Sequence, residues 1–197
     1  MSIEPGPTTG RDILLLILYV GGATGQTSEP IRGRTRLMKM VFLFERELWR
    51  KFRFDCVISE SDLPTFEPWH YGPFSKRVFD DIEFFKRIGF LSVSPGDDAT
   101  VEEVVEFEQW WDDISVEEDS EGGGYSEYTE ECFTLTETGV RFVRERLLPG
   151  LSSRQLGALQ EFKARLNVAP LHAILRYVYG KYPDMTTKSK INDQVSG

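Results

Sequence analysis

Apolar residues in this chain fall into short runs and helical stripes, with no repeat linking them. Arg11 to Val20 is almost continuously apolar, and Gly21-Gly22 with the polar stretch Thr24 to Glu29 closes it. That pattern predicts a buried helix. Downstream, Leu37, Met40, Val41, Phe44 and Leu48 recur at helical spacing behind Thr35, which reads as a cap. Arg36, Lys39, Glu45, Arg46, Arg50 and Lys51 fall on the opposite face, so an amphipathic helix with a solvated charged side is expected.

Phe52 to Glu67 reads as irregular or short-stranded, broken at Pro64 and Pro68. Trp69-His70-Tyr71-Gly72-Pro73-Phe74 is an aromatic turn, and Ser75 suits the cap of a third helix whose inner stripe is Val78, Ile82 and Phe85, with Phe79 beside it. Gly89 ends that helix and Phe90 to Val93 opens a strand. A strand returns at Cys132 to Leu135, and Thr136 starts a helix with Val140, Val143 and Leu147 inward, closed by Pro149-Gly150. Further helices are expected over Ser152 to Leu166 and Pro170 to Tyr182, with a polar end that frays from Lys181 onward. The domain reading is a flexible start at 1–10, a main domain at 11–150 with an insertion at 94–131, C-terminal helices at 151–183, and a flexible tail at 184–197.

Charge changes the picture at the insertion. The net charge is −9, yet Ser94 to Glu131 holds 15 acidic residues and no Lys or Arg, so the remaining segments balance at +6. A mildly basic body carries one strongly acidic segment, and local charge matters more than the total for choosing partners. Within the insertion, Val104, Phe107, Trp111 and Ile114 fit one helix face, although Val105, Phe107, Gln109 and Trp111 also alternate as a strand would; the helix is favoured. No apolar run approaches the ~20 residues of a membrane span, and no leader is expected. Two distant cysteines, Cys56 and Cys132, argue against a disulfide scaffold or zinc finger and for a reducing cytoplasm.

The strand-to-helix exit Phe133-Thr134-Leu135-Thr136-Glu137-Thr138-Gly139 resembles the junction of winged-helix regulators. Leu37 to Glu47, the turn Tyr71-Gly72-Pro73-Phe74-Ser75 and the end Tyr177 to Pro183 resemble the YwgA-like proteins and the related Panacea, or SocA-like antitoxin, domain. The matching segments span about Thr35 to Pro183, apart from the insertion, which departs from the family pattern. The expected fold is therefore α+β: a mostly helical winged-helix core with a long acidic wing and extra C-terminal helices. The resemblance implies a cytoplasmic, non-enzymatic module that acts by binding other macromolecules, with transcription regulation as the competing role.

Candidate chemistry is sparse. His70 and His172 lack Cys or carboxylates at ligand spacing, so no metal is expected. No nucleophile, Gly-rich phosphate loop or paired carboxylates accompany them, which argues against an enzyme and against a cofactor. A protein partner is the leading expectation, with Phe107, Trp110 and Trp111 of the insertion and Trp69 and Tyr71 of the turn as its contacts. The insertion also reads as a solvated extension, the default for such a composition, or as a screen over the basic body. The alternative partner is DNA, contacted by Arg34, Arg36 and Lys39 along the backbone and by Ser75, Lys76 and Arg77 at the groove. Asp80, Asp81 and Glu83 on the same helix oppose that use. A homodimer through the last helices is the expected assembly in the DNA-binding case.

Overall fold

A computed structural model of the chain describes Gly6, Pro7 and residues 9–95 and 131–189. The first helix, α1 (Asp12–Tyr19), buries every residue from Asp12 to Leu18. After a loop comes the two-residue strand β1 (Ile31–Arg32), then α2 (Arg34–Leu43), which continues as a wider π-helical turn over Phe44–Leu48. Short 3-10 turns at Phe54–Cys56 and Glu60–Asp62 fill the segment expected to be irregular. The aromatic turn is a small antiparallel hairpin, β2 (Glu67–Trp69) and β3 (Gly72–Phe74), with His70 and Tyr71 at its tip. Helix α3 (Lys76–Arg87) follows, then β4 (Leu91–Pro95) and β5 (Glu131–Leu135). The chain ends in α4 (Glu137–Phe142) with its π-helical continuation Val143–Leu147, α5 (Ser153–Val168) and α6 (Leu171–Lys181). The architecture is mixed helix and strand, as the α+β reading expected.

Strands β1, β5 and β4 form one antiparallel sheet in that order, with Val93 opposite Phe133 and Phe133 opposite Ile31. Alternation sends Ile31, Leu91, Phe133 and Leu135 into the core. Several local predictions hold. The Ser75 hydroxyl accepts the Val78 amide at 3.4 Å, and Val78, Ile82 and Phe85 are the buried stripe of α3. Gly89 adopts φ +73°, the left-handed value that ends the helix without a side-chain clash. The Thr136 hydroxyl accepts the Gly139 amide at 3.2 Å, and Gly139 lies hard against the Phe90 carbonyl, where no Cβ fits. The insertion predictions, for Phe107, Trp110 and Trp111 among them, lie outside the described residues.

Two expectations are corrected. Helix α2 has no solvated charged face over its first three turns: only Thr35 is even half-buried, and every other residue from Arg34 to Leu43 is buried. Its cap is Gly33 and not Thr35, because the chain enters from β1 through φ +84° at Gly33. Nor does the chain fray at Lys181. Pro183–Thr186 forms a 3-10 turn with Thr186 buried, and Ser189 binds both the Tyr179 hydroxyl (2.6 Å) and the His70 carbonyl (3.2 Å). Residues 183–189 thus lie over the hairpin as a strap.

Candidate functional site: the cleft between the hairpin and the second helix

The sequence candidates Arg34, Lys39, Trp69 and Tyr71 come together in one place. Thr35, Met38, Gly72 and Phe74 complete a small cleft of about 20 Å³ between the first turns of α2 and the hairpin, with room for one water-sized group. The hairpin approaches this closely because of Gly72, which adopts φ +81° and whose Cβ would sit 3.1 Å from the Tyr179 ring. Pro73 presents its carbonyl inward, where the Lys39 ammonium donates to it at 3.0 Å.

Arg34 is the centre of the arrangement. Only 8% exposed, its guanidinium lies over the rings of Phe79 (4.7 Å) and Phe133 (5.8 Å). Nε and Nη2 donate to the two oxygens of Glu131 at 2.7 and 2.9 Å, a bidentate fork, and Nη2 also donates to Glu83 at 2.9 Å. Burial alone would lower the Arg34 pKa, but Glu131 and Glu83 outweigh it and hold it above its ordinary value. Glu83 feels burial as an upward push, which Arg34 and Lys86 overcome, leaving it lowered. The remaining nitrogen, Arg34 Nη1, is buried with no hydrogen-bond partner. Trp69 Nε1, on the facing wall, is also buried without a partner. The Trp69 ring stacks on His70 at 5.1 Å, leans on Phe74 at 5.9 Å and has the Lys188 ammonium 5.9 Å away.

The proposed phosphate contacts separate into two groups. Arg34, Arg36 and Lys39 are buried and engaged inside the fold. Arg36 donates to the Arg32 carbonyl (3.1 Å) and to the Leu166 and Ala169 carbonyls (2.5 and 2.6 Å), closing the C-terminal end of α5. Ser75 is a buried cap. Three cations whose donors face inward are not displayed to a duplex, which corrects their assignment to backbone contact. Lys76 and Arg77 are exposed on the first turn of α3, Arg77 reaching the Leu63 carbonyl at 3.3 Å.

Sequence reasoning missed the acidic half of the site. Glu83 read as an obstacle to phosphate and Glu131 as the end of the acidic run, yet both hold Arg34. It also missed Lys163, which is fully buried and donates to the Leu18 and Val20 carbonyls at 2.8 and 2.9 Å, capping α1 from α5. Burial pulls its pKa down to about 8, against the attraction of Glu29.

A second surface lies where α5 and α6 pack beside α2. It is a groove of about 360 Å³ with Leu43, Phe52, Phe162, Leu166 and Ile174 among its walls. At its edge Glu47 accepts from Tyr177 (2.6 Å), Lys181 (2.9 Å) and Tyr182 (3.0 Å). Burial and the Glu47 charge push the Tyr182 hydroxyl up to about 12. Among the described residues, no group of three or more His, Cys, Asp or Glu is placed to hold a metal, and no helix is long and apolar enough to cross a membrane. Compared with models of known protein families, with curated proteins and with solved structures, the chain matches none.

Proposed function

We propose that this chain is a non-enzymatic regulatory or adaptor protein, built on a winged-helix core, that works by binding another protein. This is the role implied by its resemblance to SocA-like antitoxin domains. The order α1, β1, α2, the β2–β3 hairpin, α3, β4, β5 and the sheet order β1-β5-β4 support the winged-helix reading. The observation that carries the protein-binding reading is the cleft. Its lining residues Arg34 and Trp69 each carry one buried N–H group without a hydrogen-bond partner, and such groups are rare enough in native proteins to call for an explanation. An incoming chain that supplies acceptors there recovers those hydrogen bonds and buries Trp69, the kind of side chain that dominates binding energy at interfaces.

DNA binding remains the second reading, supported by the exposed Lys76 and Arg77 on α3. The test is capture from an extract of the source cells, using the full chain, Trp69→Phe and the double variant Lys76→Ala/Arg77→Ala as baits. The expected result is a protein recovered in stoichiometric amount by the full chain and the double variant, and lost with Trp69→Phe. Recovery of the same protein by all three baits would remove the cleft from the account. Recovery of nucleic acid alone, lost with the double variant, would replace it with the DNA reading.

A further inference from the structure

We infer that the groove beside α5 is the docking site for a second copy of this chain, with the two α5 helices lying antiparallel about a two-fold axis level with Lys163. This goes beyond the protein-binding reading above and uses a different face of the molecule.

The spacing along α5 comes first. Ala158, Glu161, Arg165 and Val168 recur at intervals of three and four residues, which sets them along one side of the helix. Leu159 and Lys163 turn away from that side into the core. Most of the stripe is left in water by the single chain. The Glu161 and Arg165 side chains are 74% and 78% exposed, and Val168 is 67% exposed. Tyr177, across the groove on α6, is 44% exposed, so two of the three large apolar side chains left exposed among the described residues belong to this region. Phe52, Phe162 and Leu166 in the groove walls are only half-buried. A helix laid along the groove covers them.

Charge selects the occupant and its direction. A parallel pair of α5 helices would set Glu161 against its own copy and Arg165 against its own copy. In the antiparallel pair, Glu161 faces Arg165 of the partner subunit and Val168 faces Ala158 of the partner subunit, and the two-fold axis repeats both contacts. The exposed valine then meets the smallest side chain of the stripe, which lies in the groove wall. Within one copy Arg165 Nη1 stands 3.9 Å from Glu161 Oε1, beyond hydrogen-bond reach, so both groups keep their hydrogen-bonding capacity for the second copy. Glu47, the other carboxylate of the lining, is already held by Tyr177, Lys181 and Tyr182 and does not compete for Arg165.

The test is sedimentation equilibrium of the full chain over a range of concentrations, on wild type, Glu161→Arg, Arg165→Glu and the double variant Glu161→Arg/Arg165→Glu. The expected result is a reversible dimer with a micromolar dissociation constant. Each single variant sets like charges face to face and should weaken the dimer about ten-fold or more. The double variant exchanges the charges and should recover about the wild-type constant. Both positions are exposed, so urea denaturation of the dilute, monomeric chains should find all four similarly stable, which separates a lost contact from a lost fold. A monomer at every concentration would overturn the inference. So would a dimer that ignores the single variants, or one that the double variant fails to restore. Trp69 lies outside the groove, so Trp69→Phe should leave the dimer intact, and partner capture through the cleft stands or falls separately.

Discussion

Helices α2 and α3 each carry basic residues in their first turns: Arg34, Arg36 and Lys39 on one, Lys76 and Arg77 on the other. In α2 all three are buried, at 8%, 8% and 3% exposure, and each charged head meets an acceptor supplied by a distant part of the chain. In α3 both are exposed, while the buried stripe Val78, Ile82 and Phe85 carries the packing. The difference lies in what surrounds each helix. The hairpin, α1 and α6 pack around α2, so its polar side chains must find partners inside. Helix α3 keeps Lys76 and Arg77 in water, whereas its buried Asp81 does take an internal partner, Arg11, at 3.2 Å. A cation therefore says little about a surface until its acceptors are known.

The sharpest way to break this contrast is Arg34→Ala. It leaves Glu131 and Glu83 without their buried cation and removes the guanidinium from between Phe79 and Phe133. Because both carboxylates are partly exposed, the expected loss is about 2–4 kcal/mol, somewhat below a fully buried pair. Urea denaturation measures it, and a loss within experimental error would contradict the internal role. Arg36→Ala comes next. It orphans the Leu166 and Ala169 carbonyls at the end of α5 and should cost about 1–3 kcal/mol. Amide exchange in the last turn of α5 should quicken along with it.

Lys163 gives a pH signature of its own burial. Its folded pKa is near 8, below the ordinary 10.5, so between those values the unfolded chain holds the extra proton. Stability then rises with pH across that window, by at most about 1.4 kcal/mol per pH unit, and the gain is absent below it. The comparison is with Lys163→Met, which lacks the titrating group: wild-type stability should climb relative to the variant from pH 8 to 10. A flat difference would show that the carbonyls of Leu18 and Val20 keep Lys163 protonated. The smallest effect belongs to Lys76→Ala and Arg77→Ala, each expected within about 0.5 kcal/mol of wild type. A large loss from either would erase the contrast between the helices.

What could be read in the sequence was what local chemistry decides. The apolar run in α1, the Ser75 and Thr136 caps, the Gly89 stop and the buried stripe of α3 all follow from a few neighbouring residues. The aromatic hairpin was legible as a rigid turn, and Trp69 and Tyr71 were rightly placed together. The buried cations of α2 were not legible, because their acceptors lie far along the chain: Glu131 is 97 residues from Arg34, and Ala169 is 133 from Arg36. The same applies to Lys163, whose acceptors are more than 140 residues away in α1. A charged residue at an inward helical position was the available signal. It was read as part of a solvated face, the commoner outcome for such residues. The strap over the hairpin escaped notice because its polar composition resembles that of a frayed end.

The central claim is that this fold displays its cleft to a protein and keeps most of its N-terminal cations for itself. The most direct test is a fluorescence titration of mixed-sequence duplex DNA with the full chain at low and moderate salt. The account predicts no saturable binding at either salt. Binding that weakens steeply with salt, and that Lys76→Ala/Arg77→Ala abolishes, would contradict it and make α3 the working surface.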